Sequence, residues 1–483
     1  MGPGQRVPQH LQFGGGAEES AIHPLIVVYL LIAIVLILVV SRRKAIAPFL
    51  IAFFTIPGGQ VLVLGGFHFT ALRILILAGL ARSALSRKGS FDGKNPRNFT
   101  GVDWAVVLWS ISAAIAFCLE YKETQAIVKA MGTLLDTLGG FLVVRFLIPD
   151  GEALRRTVKT LAAICVILGT CMVIEYVTHK NVFGYFGGVG IEPPIRNGHV
   201  RAGATLGYLY AGAFSGVLIP LFLWLWRDKK SRMVACAGLV GATTMVITTT
   251  SSTSYMALMG SLLGLAFWTL RNRMRIVRWG LVIMLVGLHM VMKAPVWALI
   301  QRIDLTGSSS GSQRYELVDM TIRHFREWWL VGTNAYTSWG WDSWDLCNQF
   351  VAVALTGGLL TLIFYIAIFS RSFAALGTAR KLVNGDRNQE WLLWCLGSSL
   401  FATVVAHFGI NYMAQLIMGF FPLVVCASVA AFEASETAVQ ALEVPAREQF
   451  LFAQGAAGNS PLGKAKQKAR YGTSSRLKER FTP

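Results

Sequence analysis

Thirteen runs of apolar residues, each long enough to cross a lipid bilayer, constrain the fold of this chain more than any other feature. A membrane-spanning helix needs roughly 20 apolar residues, and the bilayer core offers its backbone no hydrogen-bond partner outside the protein. The runs lie at 23–41, 45–64, 67–85, 102–119, 125–146, 158–178, 203–225, 233–250, 253–270, 276–292, 346–369, 391–408 and 411–431. The sequence therefore predicts an all-α, polytopic integral membrane protein with about 12–13 transmembrane helices.

The charge of the chain is best explained by membrane topology. Only 14% of its residues are charged and 54% are hydrophobic, whereas soluble domains carry about 25% charged residues. A net charge of +19 would favour a nucleic-acid partner in a soluble protein. Here most Lys and Arg residues lie in short loops between apolar runs, which is typical of loops held in the cytoplasm. We therefore expect no nucleic-acid partner.

Basic loops follow the odd-numbered apolar runs, and this alternation predicts the topology. The clusters are Arg42–Lys44, Arg82–Arg97, Arg155–Lys159, Arg227–Arg232, Arg271–Arg275 and Arg371–Arg387. By the positive-inside rule these loops are cytoplasmic, which puts the N-terminus outside and the C-terminus inside. The predicted organisation is a polar tail at 1–22, a transmembrane domain at 23–431 and a basic, disordered cytoplasmic tail at 432–483.

The sequence lacks the common signatures of metal and nucleotide chemistry. None of its seven cysteines forms a CxxC pair, and it has no P-loop and no HExxH motif. We expect neither a metal nor a cofactor.

One long polar loop, 293–345, lies on the outer side of this topology. A connection between helices needs only a few residues, so a loop of this length is expected to be functional. Its apolar residues recur at helical spacing from Gln313 to Arg326, which predicts a short amphipathic helix with Ser312 as its N-cap.

Arg314 falls in the first turn of that predicted helix. A cation there opposes the helix dipole, whereas a helix N-terminus combined with an arginine makes an anion site. The alternative is an ordinary surface arginine on a helix that lies on the membrane. Arg323 and Arg326 fit this alternative better than Arg314 does.

A second outer loop, 179–202, ends at Arg201, which is followed by the small residues of the seventh run. The planar fork of arginine donors matches diphosphate oxygens, although an interfacial arginine reaching lipid headgroups is an equal alternative. Arg201 and Arg314 both lie where the positive-inside rule gives least reason for arginine. Arg196 and His199, in the same outer loop as Arg201, are further candidate substrate-binding residues.

Asp345 and Asn348 lie where the chain re-enters the membrane. Asp345 is a candidate catalytic base or sugar ligand, and a helix N-cap is the alternative. Asn348 and Tyr315 are candidate substrate-binding residues. Ionisable residues inside the apolar runs keep a transporter in consideration, because proton relays use such groups; they are Arg73, Asp136, Glu175, His289 and His407.

The order of several short motifs resembles the bacterial O-antigen ligase and O-antigen polymerase superfamily. The matching pieces are R-A-G-A-T-L-G at 201–207, T-T-S-S-T-S-Y at 249–255, S-Q-R-Y-E-L at 312–317, W-W-L-V-G-T at 328–333 and N-Q-F-V-A-V-A-L-T-G-G-L-L at 348–360. The resemblance covers about a third of the chain.

The resemblance implies an inner-membrane glycosyltransferase that acts at the periplasmic face on glycans linked to undecaprenyl diphosphate. It implies that Arg201 and Arg314 grip the diphosphate. Cys347 stands where the family usually has histidine, which leaves Asp345 as the nearest substitute base. This departure favours an exopolysaccharide or O-unit polymerase, or another glycan ligase, over a lipid A core ligase.

The expected partners are a polyprenyl-diphosphate-linked glycan, a glycan or lipid acceptor and membrane lipids, with other polysaccharide-assembly proteins as candidates. Two alternative functions remain at this point. A transporter or flippase of lipid-linked glycans would use the same arginines without chemistry, and a membrane scaffold of envelope assembly would have no catalytic role.

Overall fold

The computed structural model describes residues 21–64, 67–89, 99–302, 310–340, 345–383, 385–413 and 415–457. It is 78% helical and has almost no sheet, as the apolar runs predict. Eight helical segments within the described residues are long and apolar enough to cross a membrane. Two further apolar helices, Pro24–Val39 and Ile46–Thr55, are shorter. The chain thus has the architecture of an all-α, multi-pass membrane protein.

The helices follow the apolar runs closely. Those of the first half are α1 (Pro24–Val39), α2 (Ile46–Thr55), α3 (Ala71–Gly89), α4 (Gly101–Tyr121), α5 (Thr124–Leu134), α6 (Gly140–Leu147), α7 (Gly151–Thr178), α8 (Tyr208–Gly216) and α9 (Ile219–Trp226). Those of the second half are α10 (Arg232–Thr248), α11 (Ser252–Ala266), α12 (Met274–Val291), α13 (Leu299–Arg302), α14 (Ser310–Arg323), α15 (Phe325–Trp328), α16 (Gln349–Leu382), α17 (Arg387–His407) and α18 (Gln415–Ala457). A π-helical turn, Leu135–Gly139, joins α5 to α6. Short 3-10 turns lie at Val182–Phe186, Lys229–Ser231, Phe267–Arg273, Val296–Ala298 and Ala335–Ser338.

The run at 45–64 is not one helix. Helix α2 ends at Thr55, and the chain then forms an antiparallel hairpin of β1 (Val61–Leu64) and β2 (Phe67–Thr70). Pro57 disfavours a helical conformation at the residue before it, and the Gly58-Gly59 pair that follows weakens a helix further. The next predicted helix therefore also begins late, at Ala71. A second, two-residue hairpin joins β3 (Ile195–Arg196) to β4 (His199–Val200).

Two further boundaries differ from the sequence prediction. Helix α18 continues to Ala457, so the predicted domain boundary at 431 falls inside a helix, because the residues beyond it are rich in the strong helix formers Ala, Glu and Gln. Residues 458–483 of the predicted tail, and 1–20 of the N-terminal tail, lie outside the described residues. Helix α14 begins at Ser310, so Ser312 is not its N-cap and Arg314 lies in its second turn.

Ion pairs collect at one end of the bundle, which we call the basic end. Arg43 contacts Asp150 at 2.6 Å, Arg155 contacts Asp228, and Arg271 contacts Glu390 at 3.0 Å. These pairs join loops that follow the odd-numbered apolar runs. The loops carrying Arg201 and Arg314 lie at the opposite end of the helices that connect them.

Helix α16 is broken in the middle by Gly358, whose φ of 75° and ψ of −178° are not helical. The loop segment 328–333 folds against this break. Its Trp329 carbonyl accepts from Leu359 N at 2.8 Å, and its Thr333 N donates to the Leu355 carbonyl at 2.8 Å. The outer loop therefore supplies the hydrogen bonds that the interrupted membrane helix cannot make for itself.

We predict that Gly358→Ala destabilises the protein. A side chain in this backbone conformation costs roughly 1–3 kcal/mol by itself. The new Cβ would also lie 2.5 Å from the Leu330 carbonyl oxygen. The midpoint of thermal unfolding in detergent should fall clearly.

Gly377→Ala is the matched control, because Gly377 lies in the same helix and a Cβ added there would meet no atom within 4 Å. It should leave the midpoint unchanged or raise it slightly. Equal losses in the two variants would contradict a specific lock at Gly358.

Candidate functional site

A cavity of about 840 Å³ opens at the end of the bundle opposite the basic end. Five of the seven predicted site residues line it: Arg196, His199, Arg201, Arg314 and Asp345. They come from three separate stretches of chain, the loop before α8, the start of α14 and the segment before α16. The remaining two, Tyr315 and Asn348, do not line it.

Arg201 is held on the cavity wall with little access to solvent. Arg201 is only 9% exposed. Its backbone N donates to the Pro194 carbonyl at 3.0 Å, and its guanidinium lies 4.1 Å from the ring centre of Tyr208. Its Nε is buried without a hydrogen-bond partner among the described residues. Burial lowers the pKa of Arg201, and the nearby Arg196 lowers it further while Tyr208 raises it. Arginine side chains stay protonated in proteins, so the group still carries its charge.

Hydrogen bonds to Glu175 hold the loop 201–207 in place. The Glu175 carboxylate, which is 2% exposed, accepts from Gly203 N at 3.1 Å and from Ala204 N at 2.8 Å. The Asn181 side-chain amide donates to the Ala204 carbonyl at 2.8 Å. Ala204 adopts a left-handed φ of 48°, which these bonds compensate. In the sequence, Glu175 is a candidate for a proton relay. In the structure, its carboxylate accepts hydrogen bonds from the loop that carries Arg201.

Arg314 is also buried, at 5% exposed. Its Nη2 donates to Thr253 Oγ1 at 3.1 Å and to the Gly409 carbonyl at 3.4 Å. Thr253 Oγ1 itself donates to the same carbonyl at 3.0 Å. In the T-T-S-S-T-S-Y segment, Thr250, Ser251 and Ser252 therefore line the cavity, while Thr253 bonds a carbonyl.

Arg323 and Arg326 differ from Arg314 although they follow it in the same segment. Both are exposed, and Arg323 pairs with Asp319 at 2.6 Å within α14. Helical spacing explains the difference, because residues nine and twelve positions after Arg314 need not share its face.

Asn348 has a structural role at the start of α16. Its Oδ1 accepts from Phe350 N at 2.9 Å and from Val351 N at 3.2 Å, so it is the N-cap of α16. The cap role considered for Asp345 therefore belongs to Asn348, while substrate binding by Asn348 stays a prediction. Tyr315 is half-buried beside Arg314 and is not among the residues that line the cavity.

Cys347 lines the cavity between Asp345 and Asn348. Burial raises the pKa of its thiol to about 11, with Arg314 opposing this shift and Asp345 adding to it. The thiol is therefore neutral near pH 7 and cannot accept a proton as a histidine would. Asp345 is the only carboxylate among the described residues that line the cavity.

Four tyrosines of the cavity were not predicted as site residues, namely Tyr208, Tyr210, Tyr176 and Tyr255. The signal for the first two was present, since the Y-L-Y sequence directly follows the R-A-G-A-T-L-G motif. Aromatic rings of this kind present a flat apolar face with a polar tip, which suits a sugar ring.

The described residues of the lining include three arginines against one carboxylate, so the cavity favours an anionic ligand. Within the described residues, no group of three or more His, Cys, Asp or Glu side chains is placed to hold a metal ion. No protein-family model matches this chain, and no curated protein matches it. The residues that line the cavity are therefore the basis for the proposed function.

The raised pKa of Cys347 predicts how the thiol reacts with maleimide. In a variant that keeps Cys347 as its only cysteine, the labelling rate should keep rising up to about pH 11, because the thiolate is the reacting species. A free cysteine levels off above about pH 8.5. A plateau near pH 9 would show that the thiol is not desolvated.

Proposed function

We propose that this protein is a membrane glycosyltransferase that polymerises or ligates glycan units carried on a polyprenyl diphosphate. The observation that carries the proposal is the meeting of two buried arginines, Arg201 and Arg314, on one cavity although 113 positions separate them in sequence. Two planar forks of donors suit the several oxygens of a diphosphate, each of which accepts charge-assisted hydrogen bonds.

The lipid part of such a substrate has a route into the cavity from the side. Ile247, Met259 and Met413 line the cavity and are 57%, 52% and 53% exposed. Ile247 and Met259 lie on membrane-spanning helices, so their exposed surface faces the acyl chains of the bilayer. A polyprenyl chain could stay in the bilayer beside them while its diphosphate reaches the arginines.

The reaction we propose is attack of an acceptor hydroxyl on the anomeric carbon of the donor sugar. The bond from that carbon to the diphosphate oxygen breaks, and the arginines stabilise the charge that develops on the leaving diphosphate. Asp345 is the proposed base that takes the hydroxyl proton. Tyr208 and Tyr255 are placed to stack on the sugars.

We further propose that all thirteen apolar helical segments cross the inner membrane of a bacterium, with the cavity at the periplasmic face. The segments run alternately between the basic end and the cavity end, which agrees with the positive-inside distribution of the loops. On this assignment the N-terminus is periplasmic and the C-terminus is cytoplasmic.

Reporter fusions test this orientation. A fusion after residue 90, 229 or 380 should report the cytoplasm, and one within 305–312 should report the outer compartment. Alkaline phosphatase and fluorescent-protein activities read the two sides. A cytoplasmic result at residue 310 would contradict the proposed site, because the arginines would then be ordinary basic residues of cytoplasmic loops.

Arg201→Ala and Arg314→Ala should each nearly abolish glycan transfer while the protein still accumulates in the membrane. Loss of one hydrogen bond to a charged group costs about 1.5–3 kcal/mol, and loss of a bidentate clamp in the transition state should cost more. Lysine at either position should restore activity only in part, because it keeps the charge without the planar fork. The measurement is product chain length from a lipid-linked oligosaccharide supplied to purified protein.

The matched controls are Arg323→Ala and Arg326→Ala, whose side chains are exposed. They should keep most of the activity. Equal losses in all four variants would mean that only the bulk charge of the loop matters. In the same assay an active Asp345→Asn variant would remove Asp345 from the mechanism.

The assay also separates the proposal from its main rival. A flippase would move the lipid-linked glycan between leaflets without forming a glycosidic bond. New, longer glycans made by the purified protein support the transferase, and translocation with unchanged glycan length supports the flippase.

A further inference from the structure

A second cluster of arginines lies at the basic end, far from the cavity. We call it the Arg–Trp cluster; it consists of Arg227, Arg271, Arg380, Trp268, Trp391, Trp394 and the single acid Glu390. The ends of α9 and α16, the 3-10 turn after α11 and the start of α17 bring these residues together.

The arginines of the cluster lie on tryptophan faces. Arg227 lies 4.4 Å from the ring centre of Trp391, and Arg271 lies 4.3 Å from that of Trp268. Trp268 in turn packs edge-on against Trp391 at 5.0 Å. Tryptophan is the residue that proteins place at the level of lipid headgroups, so these rings fix the depth of the arginines at the membrane surface.

The charges within the cluster do not balance. Glu390 accepts from Arg271 at 3.0 Å and lies 3.7 Å from Arg380, so one carboxylate serves two arginines, while Arg227 makes only its ring contact within the cluster. Three positive charges therefore face one negative charge. Two buried N–H groups of the cluster, Arg380 Nη1 and Trp391 Nε1, also have no hydrogen-bond partner among the described residues.

We propose that the Arg–Trp cluster binds the phosphate of an anionic phospholipid headgroup in the leaflet at the basic end. A phosphodiester supplies the missing negative charge and can accept from the exposed guanidinium of Arg227. The acyl chains of the same lipid lie along the apolar faces of the helices that carry the cluster. This site is independent of the proposed transferase activity.

The test uses the full-length protein purified in detergent and measures its thermal unfolding midpoint as lipid is added. Phosphatidylglycerol should raise the midpoint, and phosphatidylcholine, which has no net charge, should raise it much less. Each of Arg227→Gln and Arg380→Gln should weaken the apparent affinity for phosphatidylglycerol roughly fivefold, since one basic residue near anionic lipid contributes about 1 kcal/mol. Lys230→Gln is the matched control, because Lys230 is exposed at the same end and should not change the affinity.

Glu390→Gln provides a test of opposite sign. It removes the acid that competes with the phosphate, so the affinity for phosphatidylglycerol should rise even if the variant unfolds at a lower temperature than the parent. Native mass spectrometry should show a bound phosphatidylglycerol that survives in Lys230→Gln and is lost in the Arg227→Gln, Arg380→Gln double variant.

Three results would overturn the proposal. They are equal stabilisation by the two lipids, equal loss of affinity in Lys230→Gln and the arginine variants, and a weaker affinity in Glu390→Gln. If inorganic phosphate at the same concentration reproduces the whole shift, the anion site stands but a lipid as its source is excluded.

Discussion

Backbone groups inside a membrane must find their hydrogen bonds within the protein, and the structure depends on how this requirement is met wherever a helix stops short. Helix α2 ends inside the bundle, where the Gln415 side chain donates to the carbonyls of Phe53 and Ile56. The Thr205 hydroxyl donates to the Phe54 carbonyl beside them. Helix α16 breaks at Gly358, and the outer loop completes it. These interruptions are therefore the points at which loops form hydrogen bonds with the membrane helices.

The same bonds explain why the cavity has a defined shape. The loop that carries Arg201 is bonded to α2 through Thr205 and to α7 through Glu175. The helix that carries Arg314 is bonded to α11 through Thr253 and leads into the segment that completes α16. Preorganised donors are what an electrostatic role in catalysis requires, because they cost no reorganisation during the reaction.

Burying the charge of an arginine is costly, and proteins usually offset the cost with a carboxylate beside it. Arg73 shows this ordinary solution, because it forms a two-point contact with Asp136. Arg201 instead lies on a tyrosine ring, and its Nε has no hydrogen-bond partner among the described residues. Among the described residues, the cavity lining has three arginines and one carboxylate, so an anionic ligand would bring its charge closer to balance. This contrast within one molecule is the main physical support for the proposed function.

The sequence by itself predicted an all-α, multi-pass membrane protein and most of its helices. Apolar runs and basic clusters are local features of about twenty positions, and the bilayer acts on each of them separately. The sequence also pointed to Arg201 and Arg314, since the predicted topology puts both on the outer side, where arginine is unexpected. Only the tertiary structure decided that Asn348 and not Asp345 caps α16, that Glu175 shapes a loop, and that Gly358 needs the segment 328–333. Each of these depends on which backbone group lies nearest in space, between residues up to about thirty positions apart, and spacing along the chain does not encode that partner.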